Sequence, residues 1–168
     1  MRYVLLLRAV NLGPTNKLPM ADLRALLEDL GHAEVGTVLN SGNAIFTSNR
    51  RSAATLAAEV EQALAARNLP VRACVRTSPQ LQAALDALPA DLSETAYLLV
   101  CVLFDEPASR ESVTGRPFPD VEVRAGPGVL YLAYDGPVHA SKLTAGWLEK
   151  RLGVATTSRT PATLRKLL

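Results

Sequence analysis

The sequence predicts an α+β protein with a two-layer α/β arrangement: two ferredoxin-like β-α-β-β-α-β lobes joined by a helix and built on mainly antiparallel sheets. Three observations carry this prediction. Short apolar runs of strand length alternate with segments whose leucines recur at helical spacing. Asn40-Ser41-Gly42-Asn43 and Gly126-Pro127-Gly128 each separate two strand-like runs, as a hairpin turn does. The order of elements also recurs in the second half, with no residue-level repeat, and such alternation favours helices covering a sheet.

Each element has a local cause. Tyr3 to Arg8 reads as a buried strand. Pro19, Met20, Leu23, Leu26, Leu27 and Leu30 fall on one helical face that stops at Gly31. Val35 to Leu39 and Ala44 to Thr47 flank the first turn, whose Gly and Asn residues tolerate positive φ. Ser52 can cap a helix carrying Leu56, Val60 and Leu64, and Val71 to Val75 closes the lobe as a strand. Ser78-Pro79 opens a connecting helix with Leu81, Leu85 and Leu88 inward, and Pro89 to Ser93 reads as linker. The expected organisation is a first lobe over 1–76, a helix and linker over 77–95, and a second lobe over 96–168.

In that second lobe, Tyr97 to Phe104 reads as a strand, Pro107 to Val113 as a helix, and two strands flank Gly126-Pro127-Gly128. A helix from Ser141 to Leu152 ends at Gly153, a strand runs from Val154 to Thr157, and a last helix starts at Pro161.

Composition excludes several classes. An apolar content of 48% over 168 residues suits a packed interior rather than disorder. The net charge of +2 is too mild to mark a dedicated DNA binder. Arg8 interrupts the N-terminal apolar run before signal-peptide length, and Ala96 to Phe104 is far short of the ~20 residues of a membrane span. Cys74 and Cys101 lie in strand-like runs and read as small core residues, so a reduced, cytoplasmic protein is expected.

Charge placement gives the functional hint. Lys17, Lys142 and Arg159 stand just before or inside the expected helix starts, although a cation there costs about 0.3–1 kcal/mol beside the positive end of the helix dipole. A bound anion reverses that sign. The chain has only four lysines against fourteen arginines, and two of the four stand there. With right-handed crossovers, the first strand's end, the first helix's start and the first hairpin turn share one edge of the lobe. Asn11, Asn16 and Lys17 are therefore expected beside Asn40, Ser41, Gly42 and Asn43. The same logic brings Lys142 towards Thr157 and Arg159. Arg50 and Arg51 fall on the opposite edge as solvated charges.

Motifs at both termini agree with a known pattern. Arg8, Asn11, Gly13, Asn16-Lys17, Pro19-Met20-Ala21-Asp22-Leu23, Ser41-Gly42-Asn43, Ser141-Lys142-Leu143-Thr144, Trp147-Leu148-Glu149 and Thr156-Thr157 before Arg159 resemble the bacterial family catalogued as domain of unknown function 1697. The resemblance runs from end to end. It implies a two-lobed α/β fold whose first part is ferredoxin-like, and brings no assigned activity, cofactor or partner. Ala9 and Pro14 stand where the family usually has glycines, Asn40 where it has Gln, and Ala145 where it has Asn. Thr160-Pro161-Ala162 replaces a more polar segment containing Trp, so contacts that segment makes to a ligand in relatives would be lost here.

The leading functional expectation is a basic polar cleft for a phosphate-bearing small molecule or nucleotide. Lys17, Lys142 and Arg159 would supply charge, Asn11, Ser41 and Asn43 would orient the ligand, Gly42 would allow close backbone approach, and Arg8, Asn16, Asn40 and Thr157 would belong to the same site. The bland alternative is that the Asn and Ser side chains close a turn and the lysines are ordinary surface charges. An RNA-binding module is a second class, but the strand Asn43-Ala44-Ile45-Phe46-Thr47 offers one aromatic where such modules stack bases on several. Catalysis is a third, with Lys17 or Lys142 as a base if buried beside another cation. His32 and His139 read as surface residues, Asp105-Glu106 as side chains pointing apart, and Trp147 as part of a core stripe with Leu143, Leu148 and Leu152. Tyr131 and Tyr134 fall on opposite strand faces, so at most one lines a cleft.

Overall fold

A computed structural model describes every residue of the chain except 51, so the expected solvation of Arg51 lies outside the described residues. The chain divides into two units, Met1–Leu81 with Lys166–Leu168, and Gln82–Arg165, and the division falls inside one helix.

In the first unit the elements run β1 (Arg2–Leu7), α1 (Met20–Asp29), β2 (Ala33–Val38), β3 (Asn43–Thr47), α2 (Ala53–Ala65), β4 (Ala73–Thr77) and the start of α3 (Ser78–Asp86). The strands form an antiparallel sheet in the order β2-β3-β1-β4. That order is compatible with a ferredoxin-like lobe. Alternation within β1 sends Tyr3, Leu5 and Leu7 to one face, where they meet Leu23, Leu26 and Leu27 of α1 and Leu56, Val60 and Leu64 of α2. Each such leucine contributes roughly 1.5–3 kcal/mol by leaving water. Ser52 caps α2 by accepting a hydrogen bond from the Thr55 amide at 3.2 Å.

His32 departs from expectation. It is buried, 6% exposed, with its ring 4.5 Å from that of Phe46. Gly31, at φ +85°, reverses the chain after α1 and turns the next side chain inward. Arg50 is exposed, as expected of a solvated charge. It pairs with Glu59, and its carbonyl accepts a hydrogen bond from the Tyr3 hydroxyl at 2.7 Å.

The second unit holds the rest of α3, α4 (Ala90–Ser93), β5 (Tyr97–Leu103), β6 (Gly115–Phe118), β7 (Val121–Gly126), β8 (Val129–Tyr134), α5 (Ala145–Leu152), β9 (Thr156–Arg159) and α6 (Pro161–Arg165). Its antiparallel sheet is ordered β6-β7-β8-β5-β9. Without β6 this repeats the first sheet, β5, β7, β8 and β9 standing for β1, β2, β3 and β4. Cys101 and Leu103 of β5, Leu130, Leu132 and Tyr134 of β8, and Leu148 and Leu152 of α5 share one core.

Two expectations are corrected here. Pro107 to Val113 forms no helix. The segment makes a single turn at Arg110–Thr114 and then pairs as β6 on the sheet edge. It has no apolar stripe for a helix to bury, and the Arg110 guanidinium is spent on the Gly126 carbonyl at 2.6 Å and on Glu106. The linker at Pro89–Ser93 carries the helical turn α4. The two hairpins form as expected, with Gly42 at φ +79° and Gly128 at φ +66°. Among the described residues no helix is long and apolar enough to cross a membrane.

Candidate anion pocket and the polar clusters

At one edge of the first sheet, the loop after β1 folds over the β2–β3 turn. The Asn11 side-chain amide donates to the carbonyls of Leu18 and Asn40, both at 2.8 Å, and its oxygen accepts the Leu18 amide at 2.8 Å. The Asn11 backbone amide donates to the Asn16 carbonyl at 3.1 Å. Asn11 thus holds Asn16, Lys17 and Asn40 in one neighbourhood. Ala9, Asn11, Asn16 and Leu39 all take positive φ here, between 52° and 59°. Such strain persists only where surrounding contacts over-determine the loop.

Asn43 is buried. Its amide donates to the Val38 carbonyl at 3.0 Å and to Ser41 Oγ at 2.9 Å, which fastens the turn from inside. Gly42 leaves no room for a side chain, since a Cβ would lie 2.6 Å from Val10 Cγ2 and 2.7 Å from Leu7 Cβ. Its carbonyl accepts the Leu7 amide at 2.8 Å, and the Arg8 amide donates to the Arg72 carbonyl at 3.0 Å.

Beside this loop lies a cavity of about 340 Å³, walled by Asn16, Lys17, Leu18, Pro19 and Asp22 and by Leu64, Arg67, Asn68 and Leu69. Lys17 is exposed at its rim. Arg67 adds a second cation, shared with Asp29 at 3.5 Å. Pro19 occupies the N-cap of α1 and gives no side-chain hydrogen bond. By contrast α5 is capped by Thr144, and the Thr160 hydroxyl accepts the Thr163 amide at 3.2 Å. Arg67 and Asn68 went unnamed from sequence. The signal existed, because in a split β-α-β lobe the end of the second helix lies at the same edge as the start of the first.

The second cluster differs from expectation. Helix α5 begins at Ala145, so Lys142 precedes the start by three residues and stands exposed in the lead-in. The lead-in residues Ser141, Leu143 and Thr144 line a cavity with Ser158. In β9, Ser158 pairs with Cys101 on the α5 face, whereas Thr157 and Arg159 pair with Val102 and Val100 and project from the other face. Thr157 and Arg159 do meet, the guanidinium donating to Thr157 Oγ1 at 2.8 Å. Lys142 does not share their side of the sheet.

The other candidates resolve in structural terms. Phe46 is buried, its ring stacked on Tyr3 and His32, so β3 presents no aromatic for a base to stack on. The burial a lysine base needs is met by neither Lys17 nor Lys142. Both cysteines are buried and neither is in a disulfide; desolvation pushes the Cys101 thiol up to about 11. Among the described residues no group of acidic, His and Cys side chains could hold a metal ion. Trp147 is partly buried against Phe118, with the Arg151 guanidinium 4.0 Å from its ring.

A solved structure of the conserved bacterial protein SP0830 from Streptococcus pneumoniae is similar to this one. The two share 26% sequence identity and a TM-score of 0.75, over 99% of this chain and 96% of that one. Among curated proteins none matches. A family model described as "Protein of unknown function (DUF1697)" matches residues 1–131, which take in the Asn11, Lys17 and Ser41-Gly42-Asn43 motifs, and the chain belongs to that family.

Proposed function

We propose that the cavity at the start of α1 binds a phosphate-bearing small molecule or nucleotide. One observation carries the reading: the only long helix start here without a side-chain cap, among the described residues, opens beside two cations, Lys17 and Arg67. Uncapped N–H groups and the positive helix end favour an anion, and a lysine suits phosphate as a compact charge. The carboxylate of Asp22, in the first turn, opposes this in part, so the phosphate sits towards Lys17 and Arg67. Asn16 orients the ligand, while Asn11, Asn40, Ser41, Gly42 and Asn43 act indirectly by holding the loop. Arg8 stands in the same loop. Lys142, Thr157 and Arg159 belong to the other unit and are not called on.

Isothermal titration with inorganic phosphate and with adenosine monophosphate tests the reading. Loss of both charges in Lys17→Ala/Arg67→Ala should weaken binding at least roughly tenfold, as for removal of charged hydrogen-bond donors. Nucleotide binding that is indifferent to the double substitution, or no binding of either probe at millimolar concentration, refutes it.

A further inference from the structure

The second unit contains a cavity that the anion reading leaves unused. It has a volume of about 270 Å³, and its apolar floor is made by Leu99 and Leu132 of the sheet with Leu143 and Leu148. The chain builds it by delaying α5. After a 3-10 turn at Val138–Ala140 the backbone is extended at Ser141 and again at Thr144, which caps the helix, and Ser141, Leu143 and Thr144 of this lead-in wall the cavity.

The polar groups around the cavity are incompletely used. Tyr134 is 3% exposed overall and lines the cavity, and its hydroxyl is not among the buried side-chain atoms left without a partner, so it reaches the open space there. Tyr131, three residues earlier on the opposite face, instead donates to the Ala84 carbonyl at 2.6 Å. Ser141 Oγ accepts the Leu143 amide at 3.2 Å and Thr144 Oγ1 accepts the Trp147 amide at 3.1 Å, so each hydroxyl proton remains uncommitted. Burial first, and the nearby Cys101 and Asp120 after it, push the Tyr134 phenol up to about 12. It stays protonated and is a donor at neutral pH. Three donors therefore ring an apolar floor; no Lys, Arg, Asp or Glu lines the cavity, and His139 stands at its wall.

We infer that this cavity is a second ligand site, taking a small uncharged molecule with a carbonyl or amide head and an apolar body. The head accepts from Tyr134, Ser141 and Thr144, and the body lies on Leu99, Leu132 and Leu148. A carboxylate ligand finds no Lys or Arg in the lining, only His139, and meets Asp120 nearby; an ammonium ligand finds no carboxylate in the lining to balance its charge. The site is independent of the pocket at α1.

Benzamide, benzoate and benzylamine share one ring and differ in the charge of the head, so they serve as probes of the full-length chain by amide and methyl NMR. Benzamide should shift the amides of residues 141–145 and the methyls of Leu99, Leu132 and Leu148, and the two charged probes should bind at least about tenfold more weakly. Tyr134→Phe, which keeps the ring and so the fold, should weaken benzamide about five- to tenfold, as for loss of one hydrogen bond. Ala145→Phe, whose added ring would fill the mouth, should abolish the shifts while leaving the rest of the spectrum native. A spectrum unmoved by benzamide at its solubility limit means the cavity holds only water and overturns the inference. Equal binding of benzoate, or a Tyr134→Phe variant as good as the parent, overturns it too.

Discussion

Gly42 and His32 show how much a single position carries here. At Gly42 a methyl group would meet Val10 and Leu7, on a backbone at φ +79° that L-residues rarely adopt. Gly42→Ala should therefore cost about 2–4 kcal/mol, from overpacking and backbone strain together. Gly31→Ala is strained alike, at φ +85°, but meets nothing within 4 Å and should cost only about 1 kcal/mol. Urea-unfolding midpoints separate the two, and equal losses would deny the crowding at Gly42. His32 is charged in the unfolded chain below its ordinary pKa of 6.5, whereas burial, and then the positive Arg50, hold its folded pKa lower, with Glu59 opposing. The folded state thus binds fewer protons, so stability is present above pH 6.5 and is lost as pH falls from there towards the folded pKa. His32→Phe keeps a ring against Phe46 and removes that titration. Its unfolding temperature should drop less between pH 7 and pH 5 than the parent's, and identical drops would count against the buried neutral imidazole.

At the scale of elements, helix ends separate ordinary starts from the unusual one. Ser52→Ala removes the oxygen that receives the Thr55 amide and should destabilise by about 1 kcal/mol in chemical denaturation, with Ser52→Asp restoring the loss. This start was legible in the sequence, as were α1, both hairpins and the strand β5, because a cap, a glycine turn or a leucine stripe depends on residues a few positions apart. Pro107 to Val113 was not legible as a turn. Its fate was set by Arg110 reaching the Gly126 carbonyl sixteen residues away. The start of α5 lies later than Ser141 suggests, since Ser141 and Thr144 are both good caps and it is Thr144 whose oxygen receives a helix amide, that of Trp147.

Across the whole molecule, each unit carries one buried cysteine, Cys74 in the first and Cys101 in the second. Both should resist a thiol reagent in the native protein, Cys101 doubly so because its thiol is pushed up to about 11 and little thiolate exists at neutral pH. Two thiols per chain should appear only on unfolding in urea, read by mass after alkylation, and rapid native labelling at either position would contradict the burial. The order of strands and helices in the first unit, the two turns, the cap of α2 and the motifs of the family were determined by the sequence alone, since each rests on local spacing and on allowed backbone angles. Which side chains meet was decided only by the tertiary structure. One residue of parity in β9 puts Ser158 on the α5 face and Thr157 and Arg159 on the other, away from Lys142. Strand order β2-β3-β1-β4 sets the end of α2, with Arg67, beside Lys17. Register and strand order arise from packing over the whole chain, and no local window of residues contains them.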